Sequence, residues 1–290
     1  MEITEAEAQL YDRQIRLWGL DAQKRLRNAR VLVIGMSGLG TEVSKNIVLA
    51  GVKSLIMIDP ENVCAKDAAS QFLAPRDKMG FNRAEASRER LQQLNSMVEV
   101  RAESGKVEDK SDDYFRDFDI VCATGLVLSE YMRINEACRA RNVKFFCGDV
   151  TGFFGYCFAD LMKHEFVVET PAKNVECVDL NELEFVTLRS AMKTNFKAPG
   201  IKLKRMDPGF FILRVVQDFY TNHGSLPLPE KKSEHIPLLH KIRDKITRDY
   251  DLPEGKIPET IIPMLFGELA PVFCNSWRCS CSRNDKSDFK

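Results

Sequence analysis

Histidine is scarce in this chain, four in 290 residues, and no Cys-x-x-Cys pair occurs among its nine cysteines. The cysteines are scattered, and the only close pair is Cys279-Ser-Cys281. Zinc sites and disulfide frameworks need tighter, paired spacing, so reduced thiols, mostly buried, are expected. A surplus of charge is also missing, with Lys+Arg and Asp+Glu both at 42. Non-specific nucleic-acid binding draws on a basic excess, so no nucleic-acid partner is expected. No stretch approaches the ~18–20 apolar residues that a bilayer demands, which excludes a membrane partner. The opening Met1-Glu-Ile-Thr-Glu-Ala-Glu7 is acidic and carries no signal-peptide core. The expectation is a soluble, intracellular protein. With 44% hydrophobic and 29% charged residues, such a chain buries a full core, as one large domain or as one domain plus an insertion.

What is present is alternation. Residues 5–29 show near-helical spacing at Ala6, Leu10, Ile15 and Leu20, as one helix or as two with a turn at Trp18-Gly19. Arg30-Val-Leu-Val-Ile-Gly35 is an apolar, β-branched run of the kind buried on both faces of a sheet. A helix over 41–50 ends at Gly51, and Lys53-Ser-Leu-Ile-Met-Ile-Asp59 is a second strand. This βαβ unit implies a right-handed crossover and a parallel pair. Helices follow over 83–95 and 129–141, with strands over 98–102, 119–124 and 143–148 and a hairpin over 152–160. The order predicts an α/β fold, a doubly wound, mostly parallel sheet of Rossmann type. Residues 161–205 are the least periodic and are expected to be an insertion. Helices are predicted again over 208–220, 236–250 and 258–269.

Between the first strand and its helix lies Gly35-Met-Ser-Gly-Leu-Gly40. A helix N-terminus after such a loop offers free N–H groups to a phosphate, and Asp59, about twenty residues on, is placed to hold ribose hydroxyls. Gly35, Gly38, Gly40 and Asp59 are therefore the candidate nucleotide contacts, in a degenerate form whose alternative is a purely structural role in a tight strand-to-helix turn with no ligand. The spacing departs from the dinucleotide fingerprint, because Ser37 stands where backbone must approach phosphate closely. Two readings stay open on these residues: an NAD-dependent oxidoreductase, or a Rossmann-like subunit that supports catalysis elsewhere. No metal site is expected in the chain.

Tyr11-Asp-Arg-Gln-Ile-Arg-Leu-Trp-Gly19 before the first strand separates them, since it has no role in a simple dehydrogenase. With Leu32–Glu42, Gln71-Phe-Leu73, Asn82-Arg-Ala-Glu-Ala86, Phe145-Phe-Cys-Gly-Asp-Val150 and Glu268-Leu-Ala-Pro271, it resembles the enzymes that activate ubiquitin-like modifiers. The details are most similar to the smaller, cysteine-lacking subunit type of the SUMO-activating heterodimers, and the resemblance covers about residues 1–273. It implies a ThiF/MoeB-type adenylation fold in a pseudo-active form. The active form carries GxGGxG, an Asn-Arg-Gln-Phe segment and an Asp-Asn pair after the fourth strand. Here the corresponding positions are Ser37, Ala69-Ser70 before Gln71-Phe72, and Gly125-Leu126. The resemblance thus implies that ATP and Mg are held mainly by a larger partner subunit that also carries the catalytic cysteine. It implies that Arg13 reaches in trans into that partner's ATP site, with a SUMO-type modifier as the second partner. Arg16 is expected at the interface. Nuclear residence with a cytoplasmic share is implied in the same way. The boundaries expected are 1–160 for the pseudo-adenylation domain, 161–205 for a vestige of the cysteine domain, 206–273 for a helical return, and 274–290 for an aberrant tail. Cys177, inside the insertion, is expected to be an ordinary thiol, because no His or basic cluster surrounds it in sequence.

The tail is anomalous by composition. Residues 275–290 contain no Leu, Ile, Val, Ala or Gly, so they cannot form an amphipathic helix. Codons exist for them that, shifted by one nucleotide, read Thr-Ala-Gly-Gly-Val-Ala-Ala-Gln-Glu-Met-Ile-Lys-Ala-Ile-Ser, which resembles the helix of the family at this place. A frameshift, an alternative splice product or a gene-model error is inferred, and with it poor solubility or incomplete pairing.

Overall fold

The computed structural model describes residues 4–172, 175–196, 198, 203–269 and 272, without the side chains of 167–180. Cys177 as a thiol and the tail 274–290 therefore lie outside the described residues.

Three short helices open the chain: α1 (Glu5–Leu10), α2 (Asp12–Trp18) and α3 (Leu20–Leu26). Thr4 caps α1 in a capping box with Glu7. The expected one or two helices become three because the backbone turns twice. Tyr11 leaves helical geometry, and Gly19 takes φ 87°, ψ 163°, which a side chain would resist.

The sheet is built from β1 (Arg30–Ile34), β2 (Ser54–Ile58), β3 (Glu99–Glu103), β4 (Ile120–Ala123), β5 (Lys144–Thr151) and β6 (Phe154–Asp160). Its order is β3-β2-β1-β4-β5-β6, parallel except for β6, which pairs antiparallel with β5. The doubly wound α/β expectation is thereby met. Strand β1 shows why its residues after Arg30 are all apolar. Val31 and Val33 enter one core, and Leu32 and Ile34 enter the other, so both faces are buried.

Helices α4 (Gly38–Ala50) and α6 (Arg83–Leu94) cover the first face, with Leu39, Val43, Ala84 and Leu91 in its core. Between them lies the four-residue helix α5 (Asp67–Ser70), which the periodicity did not announce. Helix α7 (Leu128–Ala140) and a 3₁₀ helix at Asp112–Asp117 cover the second face through Tyr131, Ile134 and Phe115.

The segment expected to be least regular holds an antiparallel hairpin, β7 (Lys163–Ala172) with β8 (Val175–Glu184), followed by α8 (Leu188–Met192). Acidic residues along both strands hid the alternation. A third core joins α9 (Gly209–His223) and α10 (Lys232–Asp249) through Phe211, Val215, Leu239 and Ile246. The helix expected over 258–269 is instead a 3₁₀ segment, Glu259–Met264, interrupted by Pro263, which has no N–H to continue an α-helix. The chain then returns to the β5–β6 corner, where the Gly152 N–H donates to the Gly267 carbonyl at 2.7 Å.

Across β4, β5 and β6, on the α4 face, runs an apolar groove lined by Leu39, Val43, Cys122, Phe146, Tyr156 and Cys157. Val272 packs against the core on this face.

Candidate functional site

The C-terminal ends of β1, β2, β4 and β5 converge where an open α/β sheet binds its ligands. Gly35 takes φ +83° after β1, and a Cβ there would lie 2.3 Å from the Thr124 carbonyl oxygen. A Cβ on Gly40 would lie 1.8 Å from the Gly35 carbonyl oxygen. Both glycines are thus required by the close passage of β1, α4 and the end of β4. Gly38 is the first residue of α4 and is buried. Ser37 stands at the N-cap without a side-chain cap bond.

Asp59 ends up beside this loop, 1% exposed, and its carboxylate is fully engaged. It accepts from the Met36 N–H at 2.5 Å and the Glu61 N–H at 2.8 Å. It also accepts from Arg83 Nε at 2.9 Å and Nη2 at 3.3 Å. Arg83 reaches on to Asp67, Nη1 to Oδ1 at 3.2 Å, so one buried guanidinium bridges two buried carboxylates. Burial disfavours the Arg83 charge, but Asp59 and Asp67 overcome this and hold its proton more tightly than usual. Oxygens that would meet ribose hydroxyls already hold a cation of the chain's own. The Asp59 carboxylate is thus committed to partners within the chain.

The loop after β4 is tied down as well. The Gly125 N–H donates to Asp149 Oδ1 at 2.6 Å, and the Tyr131 hydroxyl donates to Asp149 Oδ2 at 2.7 Å. Tyr156 Oη donates to the same oxygen at 3.0 Å and accepts from Gln217 Nε2 at 2.6 Å. Tyr220 Oη closes the other side on the Gly125 carbonyl at 2.9 Å. Burial pushes the Asp149 carboxyl up to about 6, against the three hydrogen bonds that favour its charge. Burial, with Asp149 next in weight, also raises Tyr131 and Tyr156 well above the ordinary phenol range. Sequence reasoning did not single out Arg83, Asp149, Tyr131 or Tyr156. A signal existed for Asp149, since an acid inside the apolar run Phe145–Val150 must find partners.

Arg13 lies in α2, away from these groups. It is exposed and has no hydrogen-bond or ion-pair partner among the described residues. Arg16, one turn on, is held by Asp12 at 3.1 Å. Of the two cations of α2, only Arg13 is uncommitted. The structure therefore gathers Gly35, Gly38, Gly40 and Asp59 at one point and leaves Arg13 apart. No group of three or more His, Cys, Asp or Glu side chains able to hold a metal occurs among the described residues.

Known proteins bear on these features. The ThiF family model matches residues 11–187. SUMO-activating enzyme subunit 1 of Danio rerio is 42% identical over 293 aligned positions, which take in 93% of this chain and 84% of that protein. The protein of the same name from Xenopus laevis is 40% identical, over 93% of this chain and 85% of that one. That of Homo sapiens is 39% identical, over 93% and 84%. Among solved structures, E. coli tRNA N6-threonylcarbamoyladenosine dehydratase in complex with ATP aligns with a TM-score of 0.47 at 23% identity, over 52% of this chain and 64% of that one.

Proposed function

The chain belongs to the ThiF family and, within it, to the group of SUMO-activating enzyme subunit 1; on that premise we propose how it serves a SUMO-activating heterodimer. It supports ATP-dependent adenylation of the modifier's C-terminus, and the acyl group then passes to a thiol of the larger subunit. ATP and Mg are bound mainly by that larger subunit, and this chain alone does not make the adenylate. A dinucleotide oxidoreductase is not favoured, since Asp59 is spent on Arg83 and backbone N–H groups. Nuclear residence goes with this reading. No helix among the described residues is long and apolar enough to cross a membrane.

The contribution of this chain is Arg13. In adenylation a carboxylate oxygen attacks the α-phosphate, the bond to pyrophosphate breaks, and negative charge gathers on the phosphoryl and leaving oxygens. A guanidinium supplied from a neighbouring subunit stabilises that charge and does not titrate. The observation that carries this is the contrast in α2: Arg13 is exposed and unpaired while Arg16 is neutralised by Asp12. Arginine fingers of phosphoryl transfer are worth ~10³–10⁵ in rate, and a smaller factor is expected where magnesium shares the load. The test is ATP–pyrophosphate exchange by the reconstituted heterodimer. Arg13→Ala should lower exchange by at least ~10-fold while the two subunits still co-elute. Exchange at the wild-type rate removes Arg13 from the mechanism.

The partition into 1–160, 161–205, 206–273 and the tail 274–290 is part of the same proposal. So is the shifted reading of the tail. The apolar groove over β4–β6 supports it, on the same face that Val272 packs against, because an amphipathic helix following residue 272 would have a surface to bury.

A further inference from the structure

An uncommitted arginine acts at a distance only if the helix that carries it is held still. Helix α2 has no fully buried residue of its own, and only Trp18, at its end, packs against the first core. Its other anchors are polar, and they converge on one place, the last turn of α4. An α-helix leaves its final carbonyls without partners inside the helix. In α4 three consecutive ones are taken by side chains from elsewhere. Asn95 Nδ2 donates to the Val48 carbonyl at 3.0 Å, Gln14 Nε2 to Leu49 at 3.2 Å, and Gln23 Nε2 to Ala50 at 3.0 Å. Gln14 is in α2 itself, next to Arg13. Gln23 is in α3, and its Oε1 accepts from Trp18 Nε1 at 3.1 Å, which fixes the far end of α2.

The near end is wedged. Tyr11, the residue before α2, is 2% exposed, and its hydroxyl accepts from Asn95 Nδ2 at 2.7 Å. Its ring lies over Gly51, the left-handed cap of α4. A Cβ on Gly51 would stand 2.4 Å from Tyr11 Cζ. The glycine therefore serves two ends: it terminates α4 at φ +83° and leaves room for the ring that seats α2. Helix α4 runs back from there to the sheet, with Val43 and Val48 buried in the core. Arg13 thus rides on the central sheet through α4.

We propose that the last turn of α4, with Gly51, Tyr11, Gln14, Gln23 and Asn95, is a socket that positions Arg13 for its reach into the partner subunit. This rests on the role proposed above for Arg13. Tyr11 and Gln14 are positioning residues: they do not touch the nucleotide, and they set where the guanidinium arrives. Misplacement by about 1 Å can cost ~10²-fold when geometry governs a reacting centre.

A double-mutant cycle on the reconstituted heterodimer tests this, read as kcat and KM for ATP in pyrophosphate exchange, with subunit pairing followed by gel filtration. Gln14→Ala is the mild variant, and Gly51→Ala the strong one, which lowers stability as well. With Arg13 present, Gln14→Ala should lower kcat about 3- to 10-fold, leave KM for ATP within about 2-fold, and preserve pairing. In the Arg13→Ala background it should cost nothing further. Equal losses in both backgrounds, or no loss with Arg13 present, overturn the socket and leave the role of Arg13 standing. Full exchange by Arg13→Ala alone overturns both.

Discussion

Asp149 and Arg83 show how this ThiF-family fold pairs its buried charges within the chain. Arg83 neutralises Asp59 and Asp67 in the interior. Removing one partner of a buried ion pair leaves unpaired charge, so Arg83→Met should destabilise the chain by about 3–5 kcal/mol in urea unfolding. Asp149 has the opposite effect on pH dependence from a salt-bridged carboxylate. Its folded value near 6 lies above the ordinary 3.8, so it favours the folded state fully below about pH 4. That contribution is lost as pH rises through 6. A difference of that size corresponds to about 3 kcal/mol between pH 4 and pH 7. Asp149→Asn removes the titration, so the stability gap between wild type and variant should shift against the wild type on going from pH 4.5 to 7.5. A gap that stays constant with pH refutes the assignment. Arg83 was not legible in the sequence as the partner of Asp59, because the two are brought together by the β2–α6 crossover and nothing local pairs them.

Among the elements, β1, α4 and β2 were legible because each satisfies a local rule without help. β1 is apolar after Arg30, α4 is bounded by glycines, and β2 is followed directly by an acid, Asp59. Helix α4 starts at Gly38 rather than Thr41, directly after the extended backbone of Ser37. β7 and β8 were not legible, since they form a sheet of their own and charged residues interrupt the period of two that marks a half-buried strand. The 3₁₀ segment at Glu259–Met264 failed as a helix prediction for a different reason. Apolar spacing suited an α-helix there, and Pro263 denied it the hydrogen bonds. Contact between elements sets the cost of filling glycine positions. Gly40→Ala would press a methyl group onto the Gly35 carbonyl, so thermal unfolding should show a fall in Tm of about 2–5 °C, the equivalent of about 1–3 kcal/mol of overpacking.

For the molecule as a whole, the doubly wound, mostly parallel sheet and its two-faced burial followed from the alternation of elements, and the site followed only in part. The glycines and Asp59 were expected at one point and are found there, but their engagement with Thr124 and Arg83 depends on contacts across the sheet that spacing does not encode. The groove over β4–β6 gives the proposed tail shift a physical test. Replacing residues 275–289 with the shifted fifteen-residue reading should raise Tm and soluble yield, and Val43→Asp in the groove wall should cancel the gain. No gain on replacement counts against the shift.

One rim of the sheet remains. β3 is the outer strand beside β2, and it presents Glu99, Arg101 and Glu103 at alternate positions, with Arg101 Nε donating to Glu99 at 2.7 Å. An extended peptide seeking main-chain bonds along that margin would have to strip water from a row of ions. The consequence is colloidal: copies of this chain crowded together meet a guarded border where an unadorned one would nucleate fibres.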